Sequence, residues 1–234
     1  MTDNCDIEIK RPIIVFSDFD GTISQPDSLQ FLLENFGDSR WEEIEAQARA
    51  NVMSEREVLA AEFATLKVEG EIAFQALRDN ITLDSGFAGF VRWLESEGIP
   101  LIVLSGGIEE ISRPVLEATG LGHIELRANR VRITDKKWEI IPSSRPRIKN
   151  LCHHCKTSSV LEAKESGYFV IYIGDGLTDR CPAGEADLVF ARGNLADYCR
   201  SNGMNFLDFR NFSEVQQKIQ TLLNGKIPEI KSNA

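Results

Sequence analysis

The chain has 234 residues, 42% of them hydrophobic and 26% charged, and a formal net charge of -10 at pH 7. That length suits one large domain or two smaller ones with a sizeable core, and the acidity argues against nucleic acid as a partner. No apolar run approaches the ~20 residues that cross a bilayer, Met1 to Asp6 leads into no signal-peptide core, and five cysteines make no disulfide framework. A cytoplasmic location without a membrane partner is expected; nothing in the sequence fixes the oligomeric state.

The first element is Ile13-Ile14-Val15-Phe16, an apolar run of the kind that forms a strand buried on both faces. It stops abruptly at Ser17-Asp18-Phe19-Asp20-Gly21-Thr22. Helical signals follow. Asp27 with Gln30 predicts an N-cap, Leu29, Leu32, Leu33 and Phe36 one buried face, and Gly37 the end. Ser39 with Glu42 and Ser54 with Glu57 repeat the capping-box pattern, and Ile72, Ala76 and Leu77 suggest a further helix before Asn80. Residues 25–80 therefore read as a helical insertion standing over the strand ends as a cap, between core segments 1–24 and 81–234.

From Ile81 helix and strand alternate, which predicts an α/β fold with a Rossmann-like parallel sheet and helices on both faces. Ser85 is placed as the cap of a helix carrying Phe87, Phe90, Val91 and Leu94, ended by Gly98. A buried strand from Ile99 to Leu104 then meets Ser105-Gly106-Gly107, where the next helix is expected to begin, bent or split near Pro114. Ile124 to Ile133 reads as a strand pair turning at Asn129-Arg130, and 135–155 as irregular. Within that segment Cys152-His153-His154-Cys155 lacks the second ligand pair that a structural zinc site needs and is read as loop. A helix from Lys156 leads into Tyr168 to Ile173, which ends in Gly174-Asp175-Gly176-Leu177-Thr178-Asp179; a strand from Leu188 to Ala191 and helices near Leu195 and Val215 follow.

Parallel strands bring the three polar strand ends to one edge, where ligands of such sheets bind. Asp18 and Asp20 lie two apart, so both can face a pocket while Phe19 packs away. Paired carboxylates there suit magnesium, and one of them can attack a phosphoryl group to form an aspartyl-phosphate. Ser105 and the N–H groups after it, Gly106 first, can hold a phosphate, Asp175 can join the cation, and Lys156 can balance the charge. A phospho-Asp signalling module uses a similar cluster, but this chain is about twice as long as such modules and carries a cap-sized insertion.

These residues resemble the motifs of the haloacid-dehalogenase-like hydrolases: DFDGT at 18–22, Ser105, Lys156 and GDGLTD at 174–179. The resemblance spans nearly the whole chain. It implies that Asp18 is the nucleophile and Asp20 the general acid and base, which binds magnesium through its backbone carbonyl. It also implies that Ser105 and Lys156 hold phosphate and that Asp175 and Asp179 form the magnesium end. The insertion, LSGG at 104–107 and Ala128-Asn129-Arg130 are similar to the phosphoserine phosphatase branch. Cys155-Lys156, Gly174-Asp175, Thr178-Asp179 and Phe190-Ala191-Arg192 look like its methionine-salvage members, which act on 2-hydroxy-3-keto-5-methylthiopentenyl-1-phosphate. The implied activity is magnesium-dependent hydrolysis of a small phosphorylated metabolite through an aspartyl-phosphate. Phosphoserine or a phosphocholine- or phosphoethanolamine-type ester is the alternative substrate. Phosphoserine phosphatases carry a cap Glu for the substrate ammonium and a cap Arg for its carboxylate. Asp27 stands at the first position, and Val58 to Leu66 offers Ala60, Ala61 and Glu62 where the Arg is sought. Asp27 and Glu62 are thus the candidate specificity residues, although acids on such helices are more often solvated.

Overall fold

The computed structural model describes residues 10–50, 52–141 and 156–225. The apolar run forms strand β1 (Ile13–Ser17), buried on both faces. The chain leaves through β2 (Ser24–Gln25), passes through helices α1 (Ser28–Phe36), α2 (Arg40–Arg49), α3 (Glu55–Thr65) and α4 (Gly70–Asn80), and returns through β3 (Thr82–Leu83). β2 and β3 pair antiparallel as a two-stranded stem. Beyond it come α5 (Phe87–Ser96), β4 (Leu101–Ile108), α6 (Glu109–Ala118), β5 (Glu125–Thr134) and β6 (Lys137–Ile141). The remainder comprises α7 (Lys156–Glu165), β7 (Phe169–Gly174), a 3-10 turn at Leu177–Asp179, α8 (Arg180–Glu185), β8 (Leu188–Ala191), α9 (Gly193–Ser201), β9 (Leu207–Asp208) and α10 (Phe212–Leu223).

Seven strands make one sheet in the order β6-β5-β4-β1-β7-β8-β9, parallel throughout except for β6, which folds back on β5. Alternating side chains give the sheet two buried faces. Val15, Val103, Ile171 and Phe190 pack with Phe87 and Phe90 of α5 and Phe212 of α10. Ile14, Phe16, Leu104, Val170 and Val189 pack with Val160 and Ala163 of α7 and with Leu195 and Cys199 of α9. β1 lies between β4 and β7, so the chain crosses over on both sides of it. That arrangement opens a crevice beyond the carboxyl ends of these three strands.

Local chemistry explains where the elements start. Asp27 accepts from the Gln30 N–H at 2.9 Å, and Ser54 and Glu57 form a reciprocal capping box. Ser39 and Ser85 do not cap. Ser39 already has helical backbone angles, and Asp38 before it receives both the Arg40 N–H (3.3 Å) and the Arg40 guanidinium (2.8 and 2.7 Å). Asp84 likewise takes the Gly86 N–H at 2.8 Å and that of Phe212 at 3.2 Å. A carboxylate has acceptor sites enough to join two segments, which a single hydroxyl does less well.

Four boundaries differ from the sequence expectation. β4 continues through Ser105-Gly106-Gly107 to Ile108, so α6 begins at Glu109 rather than at the glycines. β5 is one continuous strand, and the chain turns at Asp135 (φ 55°) into β6, a strand where irregular chain was expected. The Asn129 amide is spent on a neighbouring strand, so it starts no turn. Pro114 sits inside α6 without splitting it, and α4 buries Ala73 and Leu77 while Ile72 faces solvent. The Cys152 to Cys155 segment lies outside the described residues.

The helices between β2 and β3 share a core with the sheet: Leu32, Leu33, Phe63, Leu66 and Leu77 belong to the same cluster as Val15 and Val131. Trp138 of β6 makes the joint. Its ring is buried against Phe63 (centroids 6.0 Å) and edge-on to Phe74 (5.7 Å), and its Nε1–H donates to the Val68 carbonyl at 2.9 Å. Trp138→Phe keeps the apolar ring but strands that carbonyl, so equilibrium urea unfolding should show a loss of about 1–3 kcal/mol. An unchanged midpoint would contradict the role of the hydrogen bond.

Candidate active site

Asp18 follows the last residue of β1 and is buried. Its Oδ1 receives two hydrogen bonds, from its neighbour Phe19 N–H at 2.7 Å and from Lys156 Nζ at 2.6 Å. Phe19 itself points into the core. Lys156 opens α7 and is 4% exposed, so its ammonium is withdrawn from water. Its ammonium also donates to Asp179 Oδ1 at 2.8 Å and to Thr178 Oγ1 at 3.1 Å. Asp179, fully buried in the turn after β7, accepts two further backbone bonds on Oδ2, from Asp175 (3.0 Å) and Gly176 (2.9 Å), and one on Oδ1 from Tyr172 Oη (2.6 Å). Asp175 accepts the Thr22 hydroxyl at 2.5 Å. Gly21 (φ +75°) permits that approach, because a Cβ there would stand 2.6 Å from Asp175 Oδ2.

Asp20 is turned the other way. Its Oδ1 takes the Ser28 N–H at 3.0 Å and the Ser28 hydroxyl at the start of α1, and its Oδ2 lies 3.4 Å from Ser105 Oγ. Ser105 is buried at the irregular end of β4, and the Gly107 N–H donates to its Oγ at 3.0 Å. Gly106 presents its carbonyl to Asn129 Nδ2 at 2.8 Å. The three strand ends lie at one edge of the sheet, where Asp18, Lys156, Asp175 and Asp179 form one cluster and Asp20 and Ser105 lie together beside the first motif.

Charge in that space is unbalanced. Carboxylate oxygens of Asp18, Asp175 and Asp179 lie within 4.8 Å of one another. The three carboxylates outnumber the cations near them, the Lys156 ammonium and the Arg192 guanidinium that acts on Asp175. Burial first, then Asp179, pushes the Asp18 pKa well above the ordinary carboxylate range, with Lys156 opposing. Asp175 is raised by burial, against the Thr22 bond. Burial works against the Lys156 ammonium, but Asp179 and Asp18 outweigh it and keep the group protonated. Burial works to raise Asp179, but Lys156 together with the Tyr172 and Gly176 hydrogen bonds holds it below the ordinary carboxylate value. Asp20 rises to about 6, from burial first and then from Asp27, with the Ser28 bonds opposing. A hard divalent cation held by oxygens fits both the donor set and the charge deficit.

The sequence of this chain matches the family model described as haloacid dehalogenase-like hydrolase over residues 15–183. The chain belongs to the haloacid dehalogenase-like hydrolases. Among its relatives is the 2-hydroxy-3-keto-5-methylthiopentenyl-1-phosphate phosphatase of Geobacillus kaustophilus (strain HTA426), 32% identical over 91% of this chain and 97% of the relative. The protein of the same name from Bacillus cereus (strain AH187) is 30% identical over 92% and 99%. Among solved structures, a phospho-aspartyl intermediate analogue of phosphoserine phosphatase superposes with a TM-score of 0.68 at 20% identity, covering 89% of this chain and 99% of that one. Phosphoserine phosphatase from T. onnurineus gives 0.66 at 19% identity, with 92% and 96% covered. The structural likenesses establish the hydrolase fold, and the family together with its phosphatase-named relatives makes this hydrolase a phosphatase.

Several neighbours of the hydrolase centre escape sequence reading. Ser28 looks like an ordinary first-turn residue, and Tyr172 is hidden in an apolar strand. The signal for Tyr172 is a phenol in the interior of an apolar strand, since a buried tyrosine hydroxyl needs a partner. Arg192 donates to the carbonyls of Gly21 and Thr22 and so fastens the turn after Asp20. Of the two cap acids, Asp27 is half-buried. Glu62 is 3% exposed, so its reading as a solvated helix residue fails. Burial first, then Glu45 and Asp27, pushes the Glu62 pKa to about 8. Between its unfolded value of 4.5 and its folded value of about 8, the Glu62 carboxyl keeps in the fold a proton that the unfolded chain has lost. Its deprotonation erodes stability as pH rises from about 4.5 towards about 8. Glu62→Gln should therefore raise Tm relative to the parent at pH 8.5 and lose most of that advantage at pH 5. Equal Tm differences at both pH values would show that Glu62 does not titrate in this range.

Proposed function

We propose that this hydrolase is a magnesium-dependent phosphomonoesterase that works through an aspartyl-phosphate on Asp18, and that its substrate is the methionine-salvage enol phosphate named for its relatives. The observation that carries the chemistry is the asymmetry of Asp18. Oδ1 is held by Lys156 and the Phe19 N–H, while Oδ2 accepts no hydrogen bond among the described residues. Oδ2 is the attacking atom. It forms a bond to phosphorus as the ester P–O bond breaks, and the electron pair departs with the leaving oxygen. Asp20 gives that oxygen its proton. In the second half-reaction Asp20 takes a proton from water as the water oxygen attacks phosphorus, releasing phosphate and restoring Asp18. A carboxyl near pKa 6 can serve in both directions at neutral pH. Ser105, the Gly106 peptide and Lys156 hold the transferred group.

Asp18, Asp175 and the Asp20 main-chain carbonyl would hold magnesium, which when bound offsets the charge between nucleophile and phosphoryl oxygens. The Asp179 carboxylate already accepts four bonds, about all its oxygens offer, so its part is to hold Lys156 and the Asp175 turn. The core addresses only phosphate, so choice among leaving groups falls to the helical cap of residues 25–80, with Asp27 and Glu62 as its candidate contacts. Support for the enol phosphate comes from relatives matching over more than nine-tenths of both lengths. The stretch Val58 to Leu66 offers Ala60, Ala61 and Glu62 where an Arg is sought, which counts against phosphoserine but does not itself favour the enol phosphate.

Asp18→Asn should abolish turnover of the enol phosphate and of p-nitrophenyl phosphate while Tm stays within a few degrees, because the amide matches the carboxylate in shape but cannot form the acyl-phosphate. Appreciable residual kcat would remove Asp18 as nucleophile. Asp20→Asn should lower kcat by ~10²–10⁴-fold and erase the pH–rate limb near 6. A parent-like profile in that variant would assign the proton transfers elsewhere. Chelator should stop turnover and added magnesium should restore it; full activity without the ion would refute the metal assignment.

A further inference from the structure

The loop around Ser105 is a bulge whose shape is set from the next strand. Leu104 of β4 pairs with Arg127 of β5, and Ile108 pairs with Asn129. Four steps along β4 thus oppose two along β5, and Ser105-Gly106-Gly107 are left out of the regular ladder. Bulged residues lose their strand partners, so something else must hold them. The peptide joining Gly106 to Gly107 is held at both ends: its carbonyl accepts from Asn129 Nδ2 at 2.8 Å, and its N–H donates to Ser105 Oγ at 3.0 Å. Side-chain bulk at Gly107 would jam this arrangement, since a Cβ there would lie 3.0 Å from Asp20 Oδ2 and 3.2 Å from Ser105 Oγ.

Asn129 is 1% exposed, and its Oδ1 is buried without a partner among the described residues. Burying an amide with half its capacity unmet is costly, and the half that is satisfied faces Gly106. We infer that Asn129 is a positioning residue for phosphate: it fixes the plane of the Gly106–Gly107 peptide, which occupies a Ser105 lone pair and turns the serine hydroxyl towards the space shared with Asp20. This inference rests on the proposed phosphatase chemistry, and it gives β5 a part in substrate binding without any contact between Asn129 and substrate.

The test is a double-mutant cycle with Ser105→Ala, read in the affinity of the magnesium-loaded enzyme for inorganic phosphate by calorimetry and in kcat/KM. Asn129→Asp keeps the size and removes the donor. It should weaken phosphate binding and lower kcat/KM by about tenfold or more in the parent, but by less than about threefold when Ser105 is already alanine. Asn129→Ala, without the new charge, replaces it should the aspartate variant fail to fold. Equal losses in both backgrounds, or a fall in Tm with phosphate affinity intact, would overturn the inference and leave Asn129 a structural residue. Phosphate affinity needs no turnover, so a parent enzyme that binds phosphate yet hydrolyses no phosphomonoester would count against the proposed function and leave the cycle standing.

Discussion

Lys156 between Asp18 and Asp179 is the contact on which the site depends. An ammonium and two carboxylates are withdrawn from water at the ends of β1 and β7, and such a group is tolerable only when every member is paired. Its consequences spread outward. Asp179 must be satisfied on both oxygens, which brings in Tyr172 from the sheet and two backbone N–H groups from the turn after β7. That turn then carries Asp175 to the Thr22 hydroxyl, tying the first motif to the last. One lysine thus binds together residues more than a hundred positions apart in the chain.

The division of labour between the two acids of the first motif follows from the same economy of contacts. Asp18 faces the Lys156 ammonium and Asp20 faces donors from α1 and β4, so neighbouring carboxylates acquire different environments. The first turn of α1 provides both a backbone N–H and a hydroxyl to Asp20, and a helix N-terminus favours negative charge there. The insertion therefore reaches into the chemistry at its first helical residue.

Much of this was legible in the sequence. Apolar runs ending in acid or glycine located β1, β4 and β7, and parallel pairing alone was enough to bring their ends together. Legibility failed where tertiary partners outweighed local propensity. Ser39 and Ser85 carry capping chemistry, but the aspartate before each takes over: Asp38 holds the N–H and guanidinium of Arg40, and Asp84 joins Gly86 to Phe212. Asn129-Arg130 has turn composition, yet the amide finds an acceptor on β4 and the strand runs on. Glu62 and Lys156 belong to types that usually stay in water, and nothing local says that the cap or the strand ends will bury them. Several of these failures, Asn129 and Lys156 among them, arise where a side chain serves a contact distant in sequence.

The stem formed by β2 and β3 has a consequence for the history of such chains. Exit and return lie side by side, with Ser24 opposite Leu83, so the length of chain between them can change without pulling the two crossing points apart. The inserted helices are not independent of the sheet, however, because they share its core and reach Asp20 through Ser28. Trp138 limits that freedom on one flank: an exchanged insert must offer an acceptor and an aromatic bed to the indole. Replacement of the insertion at the stem is accordingly subject to a compatibility rule written on β6.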